Sequence, residues 1–373
     1  MYRNFVIPVP FSAARYVRAV EFQPGNARIV HHAFIKVDRT LQSRRLDGKD
    51  GEPGFAGMNV PESVQMPEGH FLAWQPGKLP SAEPDGLAWT LQKDADVVLQ
   101  MHLRATGKPE TIQSRIGFYF TDRPPTNICF KFALTSLTLD IPPGATNYAA
   151  NDDFVLPVDV EALAVLPHAH YLAREMQGFA TLPDGTKKWL ILIKDWDFNW
   201  QGDYRYAAPV LLPSGTTLSM RYLYDNSTHN VRNPHHPPQR VRYGPQSTDE
   251  MAELWLQILP LRRPDLPTLA SAYAAKTAKV FVARWERLLQ EDPQNASAHT
   301  DLGLALLSQG NDLEALAHLR LAAQLQPDSD QPHYYLGLLF RQQKQFAEAQ
   351  NEFELALRLN PDNFKAHGNL GMI

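Results

Sequence analysis

Two histidines at alternate positions of one segment are the first residues of this sequence that could hold a metal ion. His168 and His170 form the triplet HAH, and residues i and i+2 of a β-strand point to the same face, so both imidazoles can reach one ion. Such pairs also arise on strands without a metal. His31 and His32 are adjacent instead, and on a regular strand they point to opposite faces. Sharing an ion there requires a β-bulge or a strand end.

The alternation of apolar residues places two further candidate ligands. In VVLQMHLR, residues 97–104, the apolar side chains share one face, which leaves Gln100 and His102 together on the other face. In MAELWLQIL, residues 251–259, the same reasoning puts Met251 on the polar face beside Glu253 and Trp255. A methionine there either fills a gap under a loop or serves as a ligand. Because a thioether is soft, its combination with an HxH pair selects copper, Cu(I) in particular, over magnesium, calcium or zinc.

In number, type and order, these residues resemble the ligands of the type II copper, ascorbate-dependent monooxygenases, the family of peptidylglycine hydroxylating monooxygenase and dopamine β-monooxygenase. The six positions are His31, His32, His102, His168, His170 and Met251. The resemblance spans roughly residues 2–260 and includes the opening YRNFVIPVP and the segment VRAVEFQPGNARIVHH.

The resemblance implies two facing β-sandwich domains that each hold one copper ion. His31, His32 and His102 would hold the first copper, and His168, His170 and Met251 the second, where dioxygen binds. Gln100 matches a glutamine near the first copper in the peptide-hydroxylating members. The implied activity is hydroxylation of a C–H bond with dioxygen and a one-electron reductant such as ascorbate. Two coppers suit this reaction because it consumes two electrons and each Cu(II)/Cu(I) couple carries one.

The sequence departs from the family at the positions that would bind a substrate carboxylate. An arginine, an asparagine and a tyrosine form that clamp in peptidylglycine hydroxylases, and the matching residues are Leu166, Glu253 and Trp255. With Leu166 in place of the arginine, the clamp loses its positive charge, and the carboxylate of Glu253 would repel the ligand. We therefore do not expect a peptide substrate that ends in a carboxylate. Glu253 and Trp255 could instead meet a cationic amine, or they are exposed residues at the rim. The substrate stays unassigned.

The remaining histidines are expected to be structural or exposed. His299, His333 and His367 recur at one position of a sequence repeat, which explains them without a metal. The others in this class are His70, His229, His235, His236 and His318.

The C-terminal part of the sequence carries a repeat of 34 residues. Pro293, Pro327 and Pro361 recur at that interval, and aligning them superposes Leu-Gly pairs at 302–303, 336–337 and 370–371. This pattern resembles the tetratricopeptide repeat and covers residues 295–373 as two full repeats and the start of a third, after a looser helical stretch over 269–290. Such repeats usually present a groove to a protein partner. Because the chain ends inside a repeat, we expect it to be a fragment of a longer protein.

Proline marks the boundary between the two kinds of structure. Of the 30 prolines, 26 lie in residues 1–267, where short β-branched and aromatic runs alternate with turn residues. The expected fold is mainly β plus α: two antiparallel, jelly-roll-like β-sandwich domains followed by a helical repeat domain. The predicted domains are residues 1–109, 110–262 and 263–373, the last with an incomplete final repeat. The polar stretch 105–113 sets the first boundary.

Composition excludes several classes of protein. Lys and Arg total 36 against 40 Asp and Glu, so no basic field for nucleic acid is expected. No apolar run approaches the ~18 residues of a membrane span. Cys129 is the single cysteine, so no internal disulfide can form. The chemistry of copper oxygenases favours a periplasmic or extracellular location, with the export signal absent from this chain.

Two alternatives to the oxygenase stay open at this point. The first is a non-catalytic copper-binding or scaffold protein that uses the repeats for assembly, which loss of the carboxylate clamp permits. The second is a zinc hydrolase, which would leave Met251 without a role.

Overall fold

The computed structural model describes residues 1–67, 69–76, 78, 80 and 82–373. The chain divides into two compact units, Met1–Thr135 with Ile141–Ala270 and Ser136–Asp140 with Ser271–Ile373. The predicted domain boundaries after residues 109 and 262 stay predictions.

The first half of the β region forms two antiparallel sheets. Its strands are β1 (Tyr2–Pro8), β2 (Arg15–Gln23), β3 (Val30–Asp38), β4 (Phe55–Ala56), β5 (Val64–Gln65), β6 (Ala73–Trp74), β7 (Trp89–Leu91), β8 (Asp96–Leu103) and β9 (Arg115–Thr121), with a 3-10 turn at Gln42–Arg45. Within the described residues, one sheet has the order β4-β1-β8-β3-β5, with β6 also on β3, and the other has the order β7-β2-β9. Both sheets contribute to one apolar cluster, which includes Val17 of β2 and Leu99 and Met101 of β8. The apolar face expected for residues 97–103 is therefore the core face of β8.

The second half of the β region contains ten strands among the residues described. They are β10 (Phe130–Thr135), β11 (Asp140–Ile141), β12 (Tyr148–Val155), β13 (Val160–His168), β14 (Ala173–Thr181), β15 (Lys187–Ile193), β16 (Tyr204–Leu212), β17 (Thr217–Tyr224), β18 (Val241–Arg242) and β19 (Glu253–Pro260). The sheet orders are β10-β19-β13-β16, β12-β17-β14-β15 and β11-β18. A Cβ added to Gly178 of β14 would lie 2.6 Å from a methyl of Leu254 on β19. The two four-stranded sheets thus approach closely at this glycine.

The C-terminal part of the chain is helical. After a 3-10 turn at Arg263–Asp265 come α1 (Leu266–Glu291), α2 (Ala296–Ser308), α3 (Asp312–Leu325), α4 (Asp330–Gln342), α5 (Phe346–Leu359) and α6 (Phe364–Leu370). None of the helices in the described part of the chain has the length and apolar character needed to cross a bilayer. Many antiparallel strands followed by a helical repeat region confirm the expected order of β and α structure.

Residues that lie 34 positions apart in the repeat form equivalent helix contacts. Ala315, Ala322, Ala349 and Ala356 are fully buried. Gly303 and Gly337 hold the equivalent close approaches, because an added Cβ would lie 2.6 Å from Leu319 and from Phe353, respectively.

The repeat histidines bond to the segments before their helices or to a neighbouring helix. His299 Nε2 lies 3.0 Å from the carbonyl oxygen of Pro293, and His367 Nε2 lies 3.0 Å from that of Pro361. His333 pairs instead with Glu352, at 2.8 Å. These side chains thus have structural partners.

Candidate metal centre

A β-bulge brings the first predicted triplet together. The antiparallel register of β3 and β8 shifts between Val30 and His32, and His32 lies opposite His102. The bulge releases this point of β3 from strict alternation. The ring centroids are 5.1 Å apart for His31 and His32, 5.2 Å for His31 and His102, and 4.9 Å for His32 and His102. One nitrogen from each ring can be chosen so that all three lie within 4.8 Å of one another.

The spacing of these nitrogens can be compared with that of a metal site. The Nδ1 atoms of His31 and His32 are 3.1 Å apart, and two nitrogens that each lie ~2.0 Å from one ion in a tetrahedral site are roughly 3.3 Å apart. The pair formed by His31 and His32 thus already has the spacing of two ligands of one ion.

Burial keeps the first triplet in the form that binds metals. Desolvation lowers the pKa of His31, lowers that of His32 well below its ordinary value, and lowers that of His102 to about 4. All three imidazoles are thus neutral at pH 7, and a neutral imidazole is the ligand form. In the described part of the chain, the buried His102 Nδ1 has no hydrogen-bond partner. Such an orphaned nitrogen costs free energy, which an ion would recover.

Tyr2 of β1 supports this triplet from one side. Its ring stacks on that of His102 with centroids 4.4 Å apart and an interplanar angle of 5°. Its hydroxyl lies 3.2 Å from His32 Nε2. Tyr2 thus orients two of the three rings, a role that sequence reasoning did not assign to it.

The second predicted triplet lies where β13 ends and just before β19 begins. His168 is the last residue of β13 and faces Glu253, the first residue of β19, in the ladder. His170 follows in the connecting segment, and its ring centroid is 5.3 Å from that of His168. Met251 is two residues before β19. The three residues line one cavity.

Hydrogen bonds select which nitrogen each ring of this triplet can offer. His168 Nδ1 bonds to Gln201 Oε1, and the Gln201 amide is oriented because its N–H donates to the Phe198 carbonyl at 2.9 Å. His170 Nδ1 lies 3.0 Å from the carbonyl oxygen of Asp249. Because these oxygens only accept, both Nδ1 atoms carry the proton, which makes Nε2 the acceptor nitrogen of each neutral ring. Burial also lowers the pKa of His170 to about 4.

Glu250 ties the two segments of the second triplet to each other. The oxygens of its carboxyl group accept hydrogen bonds from the backbone N–H groups of His170, Leu172 and Met251, the last two at 2.9 Å. Burial raises the pKa of Glu250 to about 8, against the opposite effect of these bonds. The side chain therefore holds the backbones of a histidine and the methionine at one point.

Both triplets line a single cavity of about 660 Å³. The Phe198 ring lies between them, 5.7 Å from the His31 centroid and 5.6 Å from the His170 centroid. The cavity wall also includes Gln100, Lys131, Leu166, Glu253 and Trp255. The six donor residues, from four separate parts of the sequence, thus share one space.

The other predicted site residues have defined partners. Gln100 is buried, and its amide N–H groups donate to Asn4 Oδ1 and to the Met58 carbonyl, both at 2.9 Å. Trp255 Nε1 donates to Glu253 Oε2 at 2.8 Å. The indole and carboxylate considered for an amine substrate therefore bond to each other.

Several residues of the cavity were missed by sequence reasoning. Phe198 and Gln201 come from a segment with no pattern that points to a site, and nothing in the opening YRNFVIPVP singles out Tyr2. Glu250, the neighbour of Met251, was also missed. Lys131 had a detectable signal, because the alternation of FKFALT places it with Ala133 and Thr135 on the face opposite Phe130, Phe132 and Leu134.

The donors of both triplets fit copper. Three imidazoles suit both copper oxidation states, and two imidazoles with a thioether favour Cu(I). A zinc or magnesium site would have little use for the sulfur of Met251.

Comparison with known proteins identifies the helical region. Models described as tetratricopeptide repeat match residues 282–330 and 331–363. A search of curated proteins finds no match. Neither family match includes residues 1–281, so the resemblance of the β region to copper monooxygenases stays a prediction.

Two solved structures are similar to part of the chain. The first tetratricopeptide repeat domain of Spaghetti (RPAP3), bound to the HSP90 peptide SRMEEVD, is 21% identical, with a TM-score of 0.25, over 26% of this chain and 77% of that one. A mutant O-GlcNAc transferase of Thermobaculum terrenum is 31% identical, with a TM-score of 0.26, over 27% of this chain and 19% of that one. From the family matches, residues 282–363 are tetratricopeptide repeats.

Proposed function

We propose that the β region is a copper-dependent monooxygenase that hydroxylates a C–H bond with dioxygen and a one-electron reductant such as ascorbate. The observation that carries this proposal is that both donor triplets line one cavity. The first copper would be held by His31, His32 and His102, and the second by His168, His170 and Met251.

The proposal includes a fold of two β-sandwich domains. The six-stranded and three-stranded sheets share one apolar cluster, and the two four-stranded sheets meet at Gly178 and Leu254. Both arrangements are compatible with sheets packed face to face.

The protein's contribution to the reaction is to hold and orient groups. When bound, copper supplies the one-electron redox chemistry and the activation of dioxygen. Gln201 and the Asp249 carbonyl keep His168 and His170 in the tautomer that offers Nε2, and Tyr2 restrains His32 and His102. The Phe198 ring contacts one histidine of each triplet.

The repeats indicate a protein-interaction domain, and we propose that they dock a protein partner. Stacked repeats provide an extended surface on which a partner can bind. A location outside the cytosol, where copper and oxygen are available, is part of the same proposal.

Copper analysis tests the function directly. After the protein is reconstituted with Cu(II) and excess metal is removed, it should retain about two copper ions per chain. The His168→Ala variant should retain about one copper ion fewer. Oxygen uptake that depends on ascorbate and rises with a substrate would support catalysis. Fewer than about two coppers in the native chain, or unchanged copper and oxygen uptake in His168→Ala, would contradict the proposal.

A non-catalytic copper-binding scaffold is the second candidate. The observation that favours it is the occupation of the substrate-clamp positions by Leu166 and by a Glu253 that already bonds to Trp255. Tight binding of copper without oxygen uptake, under any reductant, would select this alternative.

A further inference from the structure

Lys131 lies on the same wall of the cavity as the second triplet. It belongs to β10 and pairs with Gln257 of β19, whereas Glu253 of β19 pairs with His168. Glu253, Trp255 and Gln257 alternate along β19 and so share a face. The wall therefore runs from His168 and Glu253, past Trp255, to the row of Lys131.

The surroundings of the Lys131 ammonium group contain no compensating charge among the described residues. Its Nζ donates to the His70 carbonyl at 3.0 Å, lies 3.9 Å from Met66 Sδ, and is 5.8 and 5.9 Å from the ring centroids of Phe71 and Trp255. The carboxylate of Glu83, on the far side of His70, is already shared between His70 and Arg205. No ion pair of Lys131 is found in the described part of the chain.

An anion in the cavity would provide the Lys131 ammonium group with a counter-ion. Burial lowers the pKa of Lys131 to about 8, so the side chain remains mostly charged at pH 7. A largely buried ammonium group without a counter-ion costs free energy. A carboxylate on a ligand would supply the charge and accept one of the remaining N–H groups.

The charges also set the direction and length of such a ligand. Glu253 beside His168 disfavours a second negative charge near the triplet. Four residues of β19 separate the row of His168 from that of Lys131, which is about 13 Å at ~3.3 Å per residue. Trp255, Leu166 and Phe71 supply apolar surface along this distance.

We propose that Lys131 is the anion-binding subsite of this cavity and that it takes an extended, largely apolar molecule by a terminal carboxylate, with the opposite end toward His168. The subsite deepens the proposed function, since it names the substrate class. The sequence analysis gave no reason to expect a carboxylate ligand, because Leu166 and Glu253 occupy the positions of the clamp. In this proposal the positive charge that binds the carboxylate is that of Lys131, on the different strand β10.

Binding of straight-chain carboxylates to the full, metal-free chain tests the subsite by titration calorimetry. The probes are octanoate, decanoate and dodecanoate, with decanol and decyltrimethylammonium as neutral and cationic counterparts. We expect decanoate to bind more tightly than decanol, and Lys131→Met to weaken decanoate binding by about 10-fold or more, the loss of a hydrogen bond to a charged group. Lys131→Arg should retain much of the affinity. Lys187→Met, which changes a lysine stacked on Phe179 and Trp189, should leave binding unchanged.

Unchanged decanoate affinity in a folded Lys131→Met chain would overturn the subsite, as would a native chain that binds none of the carboxylates or prefers the cationic probe. Thermal unfolding and circular dichroism of Lys131→Met show whether it is folded. If that variant fails to fold, two other results test the subsite. Tighter binding of decanoate than of decanol by the native chain, with much of that affinity kept in Lys131→Arg, would support it, and equal binding of the two probes would contradict it. Because no metal is present, a chain that binds decanoate through Lys131 but takes up no copper would contradict the oxygenase and leave the subsite standing.

Discussion

The Nδ1 atoms of His31 and His32 lie 3.1 Å apart, although the two residues are neighbours in one strand. On a regular strand their side chains would point to opposite faces. The register shift between Val30 and His32 removes this obstacle and lets both rings reach the side chain of His102. A local irregularity of the backbone thus makes adjacent histidines usable as a pair.

Removal of one histidine side chain from the first triplet should cost the chain one copper ion. His102→Ala should lower the copper content from about two to about one per chain, because two imidazoles alone bind the ion too weakly to survive dialysis. Atomic absorption after dialysis measures this. His229→Ala, which changes an exposed histidine, should retain both coppers, and equal copper in the two variants would argue against the site.

Met251 should control the preference of the second site for Cu(I). Met251→Leu keeps the volume of the side chain but removes the sulfur, so affinity for Cu(I) should fall by at least about 10-fold while that of the first site is unchanged. Competition with a Cu(I) chelator under anaerobic conditions provides the measurement. Met58→Leu changes another methionine of the cavity wall and serves as the control. Similar Cu(I) affinity in both variants would remove the sulfur from the ligand set.

Glu250 should be among the most sensitive positions of the β region for stability. Glu250→Ala leaves three backbone N–H groups, of His170, Leu172 and Met251, without their acceptor. We expect the free energy of unfolding to fall by about 3 kcal/mol or more. Denaturant unfolding of the metal-free chain checks this value. The neighbouring Glu253→Ala loses one side-chain bond, to Trp255, and should cost only about 1 kcal/mol; a comparable loss for both would contradict the role of Glu250.

Asp38 should make the stability of the fold depend on pH in the acid range. Burial by itself would raise the pKa of Asp38, but hydrogen bonds from Ser43 and Thr40 outweigh it and lower the pKa to about 2. Since the folded pKa lies below the unfolded one, the carboxylate stabilises the fold above pH ~4, and this contribution is lost as the pH falls toward about 2. Its size is about 2 kcal/mol.

Unfolding by denaturant at several pH values measures the contribution of Asp38. Asp38→Asn should flatten the profile between pH ~4 and ~2 and lower stability at pH 7. Asp94→Asn, at a side chain that is 81% exposed, should keep the native profile. Parallel profiles for the native chain and Asp38→Asn would show that the hydrogen bonds of this carboxylate do not stabilise the fold.

A substitution at Gly337 should show how tightly the helices of the repeat pack there. An added Cβ would lie 2.6 Å from the Phe353 ring, so Gly337→Ala should destabilise the repeats by about 1–3 kcal/mol. Gly368 lies in helix α6 with no atom within 4 Å of an added Cβ. Gly368→Ala should therefore stabilise the helix by up to about 1 kcal/mol. Thermal unfolding followed by helical circular dichroism compares them, and a Gly337→Ala chain as stable as Gly368→Ala would contradict the predicted packing.

Much of the helical region could be read from the sequence because its contacts are local and periodic. A repeat of 34 residues places Ala315 and Ala349 at equivalent buried positions, and each repeat packs mainly on its neighbours. The same holds for the faces of β8, where strict alternation assigns Val97 to the core and leaves Gln100 and His102 on the opposite face.

The sequence by itself determined the types of the donors, the alternation that places His102 on the face of β8 opposite Val97, and the repeat that builds the helices, because each of these depends on residues close together in the chain. Met251 lies two residues before β19, so strand alternation does not set its position. Only the tertiary structure decided that a bulge makes His31 and His32 a pair, that Glu250 joins His170 to Met251, and that Lys131 shares a wall with His168. These relationships join strands far apart in sequence, and their register is set by long-range pairing and packing of the sheets, which no local pattern encodes.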